Sequence, residues 1–230
     1  DKGACRIYAK GRDYDESVDT KGDDAADDWQ MGQGGFRLDW EPDSRNTWTL
    51  QGDIYEQELN IEETFQSLTP PYTVMEQREM HYTGASALAR WTHQDPAGNG
   101  WIFQAYYDRT ESTDMITLDW EENTYDLDFQ HSFTLGGRQL CTWGLAYRYY
   151  RIHMKPDETN KYSFDPEKTG TNVASAFVQD EIDLIRDELF LTLGSKFEYH
   201  EATHLEVQPT GRLLWKAKKK NTLWAAASRA

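Results

Sequence analysis

No stretch of this 230-residue chain runs for 18 apolar residues, so it has no segment able to cross a bilayer as a helix. Helical periodicity is hard to find anywhere along it. A β-barrel would leave no long apolar run either, because its strands alternate lipid-facing and lumen-facing residues. The mean hydropathy of -0.85 is therefore compatible with a membrane protein of this one kind. Cysteine is scarce too: Cys5 and Cys141 stand far apart, fit no metal-ligand spacing and read as free. Positive charge is in short supply, with 24 Lys and Arg against 40 Asp and Glu, a net charge of -16. Such a balance excludes nucleic acid as a partner, since phosphate binding needs a basic footprint. There is no initial Met and no signal peptide, and Ala230 falls inside an apolar-rich stretch. Both ends read as cuts through a longer protein.

What is present is aromatic and strand-like. Aromatics make up 13% of the chain, with nine Trp and thirteen Tyr, a load that disfavours disorder. Strands are expected at about 4–13, 31–41, 47–57, 82–93, 101–112, 122–134, 139–152, 172–183, 188–200, 206–216 and 221–230. Most are long enough to cross a bilayer at a tilt, which takes about 9–11 residues. Tyr125, Leu127, Phe129, His131, Phe133 and Leu135 share one face of a run whose other face carries Thr124, Asp126, Asp128, Gln130 and Ser132. Leu189, Leu191, Leu193, Phe197 and Tyr199 oppose Thr192, Lys196 and Glu198 in the same way.

The connections sort into two sets that alternate strictly. The short ones are Pro42–Asn46, Asp95–Gly100, Gly136–Arg138, Ile185–Asp187 and Ala217–Lys220, rich in turn-forming residues. Between them fall Tyr14–Gln30, Glu58–His81, Thr113–Glu121, His153–Thr171 and the briefer Glu201–Leu205. Tight periplasmic turns and longer extracellular loops are the asymmetry of an outer-membrane barrel. Tryptophan follows the same division: Trp40, Trp48, Trp91, Trp101, Trp143, Trp215 and Trp224 all fall near short turns. An interfacial girdle places amphipathic indoles in this manner. The rival is a soluble β-sandwich whose ends are plugged by tryptophan.

Several segments resemble the TonB-dependent receptors of bacterial outer membranes. They are Ser175–Ile182 with Leu191–Tyr199, Glu206–Trp215 with Thr222–Arg229, and the earlier Asp27–Trp40 with Leu50–Tyr55. The resemblance implies an all-β antiparallel meander, with the eleven strands read here making half of a 22-stranded transmembrane barrel plugged by an N-terminal domain. Nothing in residues 1–230 resembles that plug or its energy-coupling segment, so the chain reads as middle and later barrel wall. The implied function is active uptake of a scarce nutrient, a ferric siderophore first, cobalamin or haem next. The implied partners are outer-membrane lipid, the receptor's own plug domain, the TonB complex and a metal-chelate or cobalamin ligand. A passive porin or structural barrel without energy coupling is the alternative.

No motif points to an enzyme or a cofactor. Asp126 and Asp128 are spaced i, i+2 on one strand face, as a polar lumen requires, and no activated nucleophile stands near them. Arg37, Asp39, Gln51, Asp53, Gln104, Asp108, Arg148, Gln179, Lys196 and Arg212 read as lumen-facing for the same reason. The acidic stretch Asp13–Asp28 breaks the calcium-loop pattern at Lys21 and reads as a solvated loop. Six histidines, His81, His93, His131, His153, His200 and His204, show no haem-receptor pattern; His153, at a loop entrance, is a ligand-binding candidate. Tyr72, Tyr162 and Phe164 in the long loops are candidate ligand platforms, because such cargo presents flat apolar surface.

Overall fold

The computed structural model describes residues 2–113, 119–156, 164–218 and 221–229. Its strands are β1 (Gly3–Tyr14), β2 (Trp29–Asp43), β3 (Asn46–Gln66), β4 (Thr73–Gln94), β5 (Gly100–Thr113), β6 (Asp119–Leu135), β7 (Gln139–Lys155), β8 (Lys168–Ile185), β9 (Leu189–His200), β10 (His204–Lys218) and β11 (Asn221–Ser228). They form one sheet in chain order, each antiparallel to the next, and no helix occurs among the described residues. All eleven expected strands are present.

Local chemistry fixes the short turns. The Asp43 carboxylate accepts from the Arg45 and Asn46 amides at 2.8 and 3.0 Å, closing β2 onto β3. Asp95 does the same for Ala97 and Asn99 at 2.8 and 2.9 Å, ahead of Gly98 at φ 87°. Gly136 and Gly137, at φ 59° and 67°, turn β6 into β7 in a region that side chains other than glycine rarely enter.

Strand length is where the sequence misled. Glu58–His81 was expected as a loop, yet β3 and β4 stay paired from Asn46↔His93 out to Gln66↔Thr73. Only residues 67–72 connect them. The run does alternate, with Leu59, Ile61 and Phe65 against Glu58, Asn60, Glu62 and Thr64, but its apolar members take the parity opposite to Trp48, Leu50 and Ile54, so it is out of phase with the rest of β3. Its two strands nevertheless satisfy each other's inward-facing amides through the backbone ladder. The β3–β4 connection is thus mostly a hairpin that projects beyond the apolar wall, whereas residues 15–28 between β1 and β2 stay outside the strands as expected.

The sheet has almost no interior. Among the described residues only Met80, Thr49, Ser112 and the glycines Gly52, Gly84 and Gly144 are buried. The accessible area is 15952 Å², whereas a compact monomer of 26.8 kDa exposes about 11,000 Å². Large apolar side chains account for much of the excess, including Ile7, Ile54, Leu145, Leu193 and Trp224. A soluble β-sandwich folds a second layer over such a face; this chain does not. Cross-strand aromatics instead cover glycines within the single layer. Tyr8 stands opposite Gly35, Phe36 opposite Gly52, Tyr55 opposite Gly84 and Phe177 opposite Gly144. A Cβ on Gly84 would fall 2.2 Å from the Tyr55 ring, so that ring lies flat on bare backbone.

Candidate functional site

The pairing register assigns every strand residue to one of two faces, since opposed residues share a face and neighbours alternate. On β6 the chain Tyr125, Leu127, Phe129, His131, Phe133 and Leu135 stands opposite Tyr149, Tyr147, Leu145, Trp143, Cys141 and Gln139 of β7. The same face continues through Ala174, Ala176 and Val178 of β8 to Tyr199, Phe197 and Ser195 of β9. From Leu135 to Tyr125 is ten residues, roughly 34 Å along the strand and about 25 Å along the normal at a barrel strand's tilt. That height equals the apolar band of an outer-membrane barrel.

Aromatic rows cross this band. Toward the short turns, Trp48 stacks on Trp91 at 5.3 Å and Trp91 meets Trp101 edge-on at 5.7 Å. His131 bridges Trp101 and Trp143 at 6.5 and 6.1 Å, and the Trp143 indole N–H donates to His131 Nδ1 at 3.2 Å. Trp40 pairs directly with Trp48, and Trp215 lies on the same face opposite Leu189 and Leu223. Trp224 is the exception. It opposes Leu214 on the polar face, with the Arg212 guanidinium 5.9 Å from its ring. Nearness to a turn suggested a girdle position for it; strand parity assigns it to the other side. Toward the long hairpins runs a tyrosine row that the sequence reading missed. Tyr107, Tyr125 and Tyr149 follow one another at 5.0 and 6.3 Å. The signal was available as Tyr recurring six residues from Trp101, His131 and Trp143 on three strands.

The opposite face is a lattice of charge and amide. Arg37 donates to both oxygens of Asp39 at 2.7 and 3.0 Å and to Gln51 at 3.3 Å, while the Thr49 hydroxyl donates to Asp39 at 2.7 Å. Arg90 donates to Gln104 at 2.8 Å and Arg148 to Asp126 at 2.8 Å. The Tyr8 hydroxyl donates to Asp53 and the Lys196 ammonium to Glu198. Asp126, Asp128, Arg148, Lys196 and Glu198 line one polar recess of about 520 Å³ with His200. All ten residues expected on the lumen side fall on this face.

The loop candidates are not gathered into one site. Tyr72 occupies the tip of the β3–β4 hairpin at φ 64°, 61% exposed, its amide donating to the Thr69 carbonyl at 2.9 Å. Phe164 lies ahead of β8, partly exposed. Tyr162 falls outside the described residues. His153 is on β7 itself, on the apolar band's face beyond the tyrosine row, between Glu121 and Lys168. It therefore points away from the polar face. Two acidic side chains in or near loops hold their protons unusually weakly: hydrogen bonds from the Asp23 and Lys21 amides depress the Asp19 carboxyl, and the Ser17 hydroxyl and amide depress Asp27.

Comparison with known proteins matches this architecture. The family model described as "TonB dependent receptor-like, beta-barrel" matches residues 6–230. Among curated proteins, none matches the chain by sequence. Among solved structures, the siderophore receptor PirA of Acinetobacter baumannii superposes with a TM-score of 0.72 at 14% identity, over 99% of this chain and 38% of its own. A mutant of the ferric enterobactin receptor PfeA of Pseudomonas aeruginosa gives 0.76 at 12%, over 100% and 39%. The FrpB iron transporter of Neisseria meningitidis gives 0.73 at 11%, over 99% and 41%. Identities this low speak for the fold alone, and the chain spans about two-fifths of the length of these structures. The family is one of transport receptors rather than enzymes. With the family model covering nearly all of it, the chain belongs to the TonB-dependent receptor family, as a length of its barrel wall.

Proposed function

We propose that this wall is part of a receptor in a bacterial outer membrane that actively takes up a scarce nutrient, with a ferric siderophore as first candidate and cobalamin or haem next. One observation carries the reading: an eleven-strand meander presents a single apolar band about 25 Å tall, bounded toward its hairpins by tyrosine. Lipid would cover that band, with Trp40, Trp48, Trp91, Trp101, Trp143 and Trp215 toward the periplasmic leaflet. The polar face would then line a lumen filled by a plug domain outside this chain and driven by the TonB complex. The solved relatives named as siderophore and ferric enterobactin receptors support the choice of cargo.

The test uses the complete receptor in whole cells. Radiolabelled ferric enterobactin should accumulate, and accumulation should stop when TonB is deleted. Uptake that continues unchanged without TonB would make this a passive pore. Tyr72→Ala and Tyr162→Ala should each weaken ferric chelate binding; unchanged affinity in both would remove the loop platform.

A further inference from the structure

We propose that Glu58, Glu79 and His81 form a divalent transition-metal site of the zinc type, which clamps β3 to β4 where their hairpin leaves the membrane. Glu58 and His81 are directly paired across the two strands, and Glu79 lies two residues from His81 on the same face. The His81 Nε2 is 3.0 Å from a Glu79 carboxylate oxygen, and its Nδ1 is 3.7 Å from one of Glu58. One donor atom from each of the three lies within 4.8 Å of the others.

Zinc bonds of about 2.0–2.2 Å in a tetrahedron set donor atoms roughly 3.4 Å apart. Closing the cluster onto an ion therefore takes movements on the order of 1 Å, which two glutamate side chains supply without any backbone shift. An imidazole with two carboxylates suits zinc-like ions, whereas calcium and magnesium take all-oxygen sets. The two carboxylates approach different ring nitrogens, Glu79 at Nε2 and Glu58 at Nδ1, so ion binding turns the imidazole about its Cβ–Cγ bond as well. The Gln30 amide already orients the second oxygen of Glu58.

Charge favours a cation here. Among the described residues neither Glu58 nor Glu79 forms an ion pair with lysine or arginine. Glu58 also lines a slot of about 570 Å³ with Asp13, Gln30 and Glu56, where three carboxylates outnumber the one cation, Arg12. Farther along the same face, by contrast, Glu111 is neutralised by Lys155 at 2.7 Å and Arg109 at 2.8 Å. The sequence hid the site because Glu58 and His81 are 23 residues apart and the span between them reads as loop.

The test is metal binding by the complete receptor, purified free of metal in detergent. Zinc titration calorimetry should give a saturable site that weakens by about tenfold or more in His81→Ala and in Glu79→Gln. Cobalt bound to the wild type should show visible ligand-field absorption that His81→Ala removes. His153→Ala, on the same face of a different hairpin, should bind as the wild type does. Heat-modified electrophoretic mobility reports folding, and Glu58→Gln serves as a further variant if one fails to fold. Absence of saturable zinc binding, or identical binding by His81→Ala and Glu79→Gln, would overturn the proposal. The result is independent of ferric chelate uptake, which these variants leave intact in either case.

Discussion

Single residues in this wall are decided by what lies directly across the sheet. Gly144 is the sharpest case: a Cβ there would meet the Phe177 ring at 2.4 Å and the Phe129 carbonyl oxygen at 2.7 Å. The ring has somewhere to go; the backbone oxygen does not. Gly144→Ala should cost about 1–3 kcal/mol, read as a shifted urea midpoint for the receptor refolded in lipid vesicles. Gly211→Ala meets nothing closer than Leu193 at 3.6 Å and should stay within about 1 kcal/mol of wild type. Asp95 supplies a pH test. Hydrogen bonds from the Asn99 side chain and the Asn99 and Ala97 amides hold its carboxyl below the ordinary range. A depressed folded pKa means its contribution is fully present above about pH 3.9 and is lost as pH falls through the lower folded value. Carbon-detected NMR titration of Asp95 should give a midpoint below that of an Asp95 peptide.

At the scale of the strand, parity separates the apolar face from the polar one. Leu145 and Ala146 are sequence neighbours on opposite faces of β7, the first 53% exposed in the apolar band and the second lining the polar recess. Leu145→Arg should destabilise the barrel by about 2–4 kcal/mol in the same vesicle assay. Ser175→Lys, directly opposite Ala146 on the polar face, should change stability far less. Equal effects from the two substitutions would mean that the faces are assigned the wrong way round. Strand parity also explains which sequence expectations failed. Trp224 was placed by its distance from a turn, and its side was set by pairing with Leu214.

The whole molecule is a sheet with two solvents and no core of its own. Its exposed apolar band needs lipid or detergent, so the isolated chain should aggregate in plain buffer and become monodisperse only with detergent, as sedimentation velocity would report. A sharp, monomeric melt in detergent-free buffer would contradict a membrane wall. At this scale the β3–β4 connection is a hairpin whose paired strands continue beyond the tyrosine row. Tyr72 is consequently presented at the end of a rigid ladder rather than in a slack loop, and deleting residues 67–72 should abolish its contribution to chelate binding while leaving the barrel folded.

The sequence by itself determined the strand count, the all-β class, the sorting of short turns to one end and the ten lumen-side residues, because each rests on a period of two or on turn chemistry within a few positions. Tertiary structure alone decided where the strands end in water, which face Trp224 and His153 take, and that Glu58, Glu79 and His81 meet. Those depend on register across strands: the backbone ladder persists where the apolar parity changes face, and partners distant in the chain become neighbours only when the hairpin is paired.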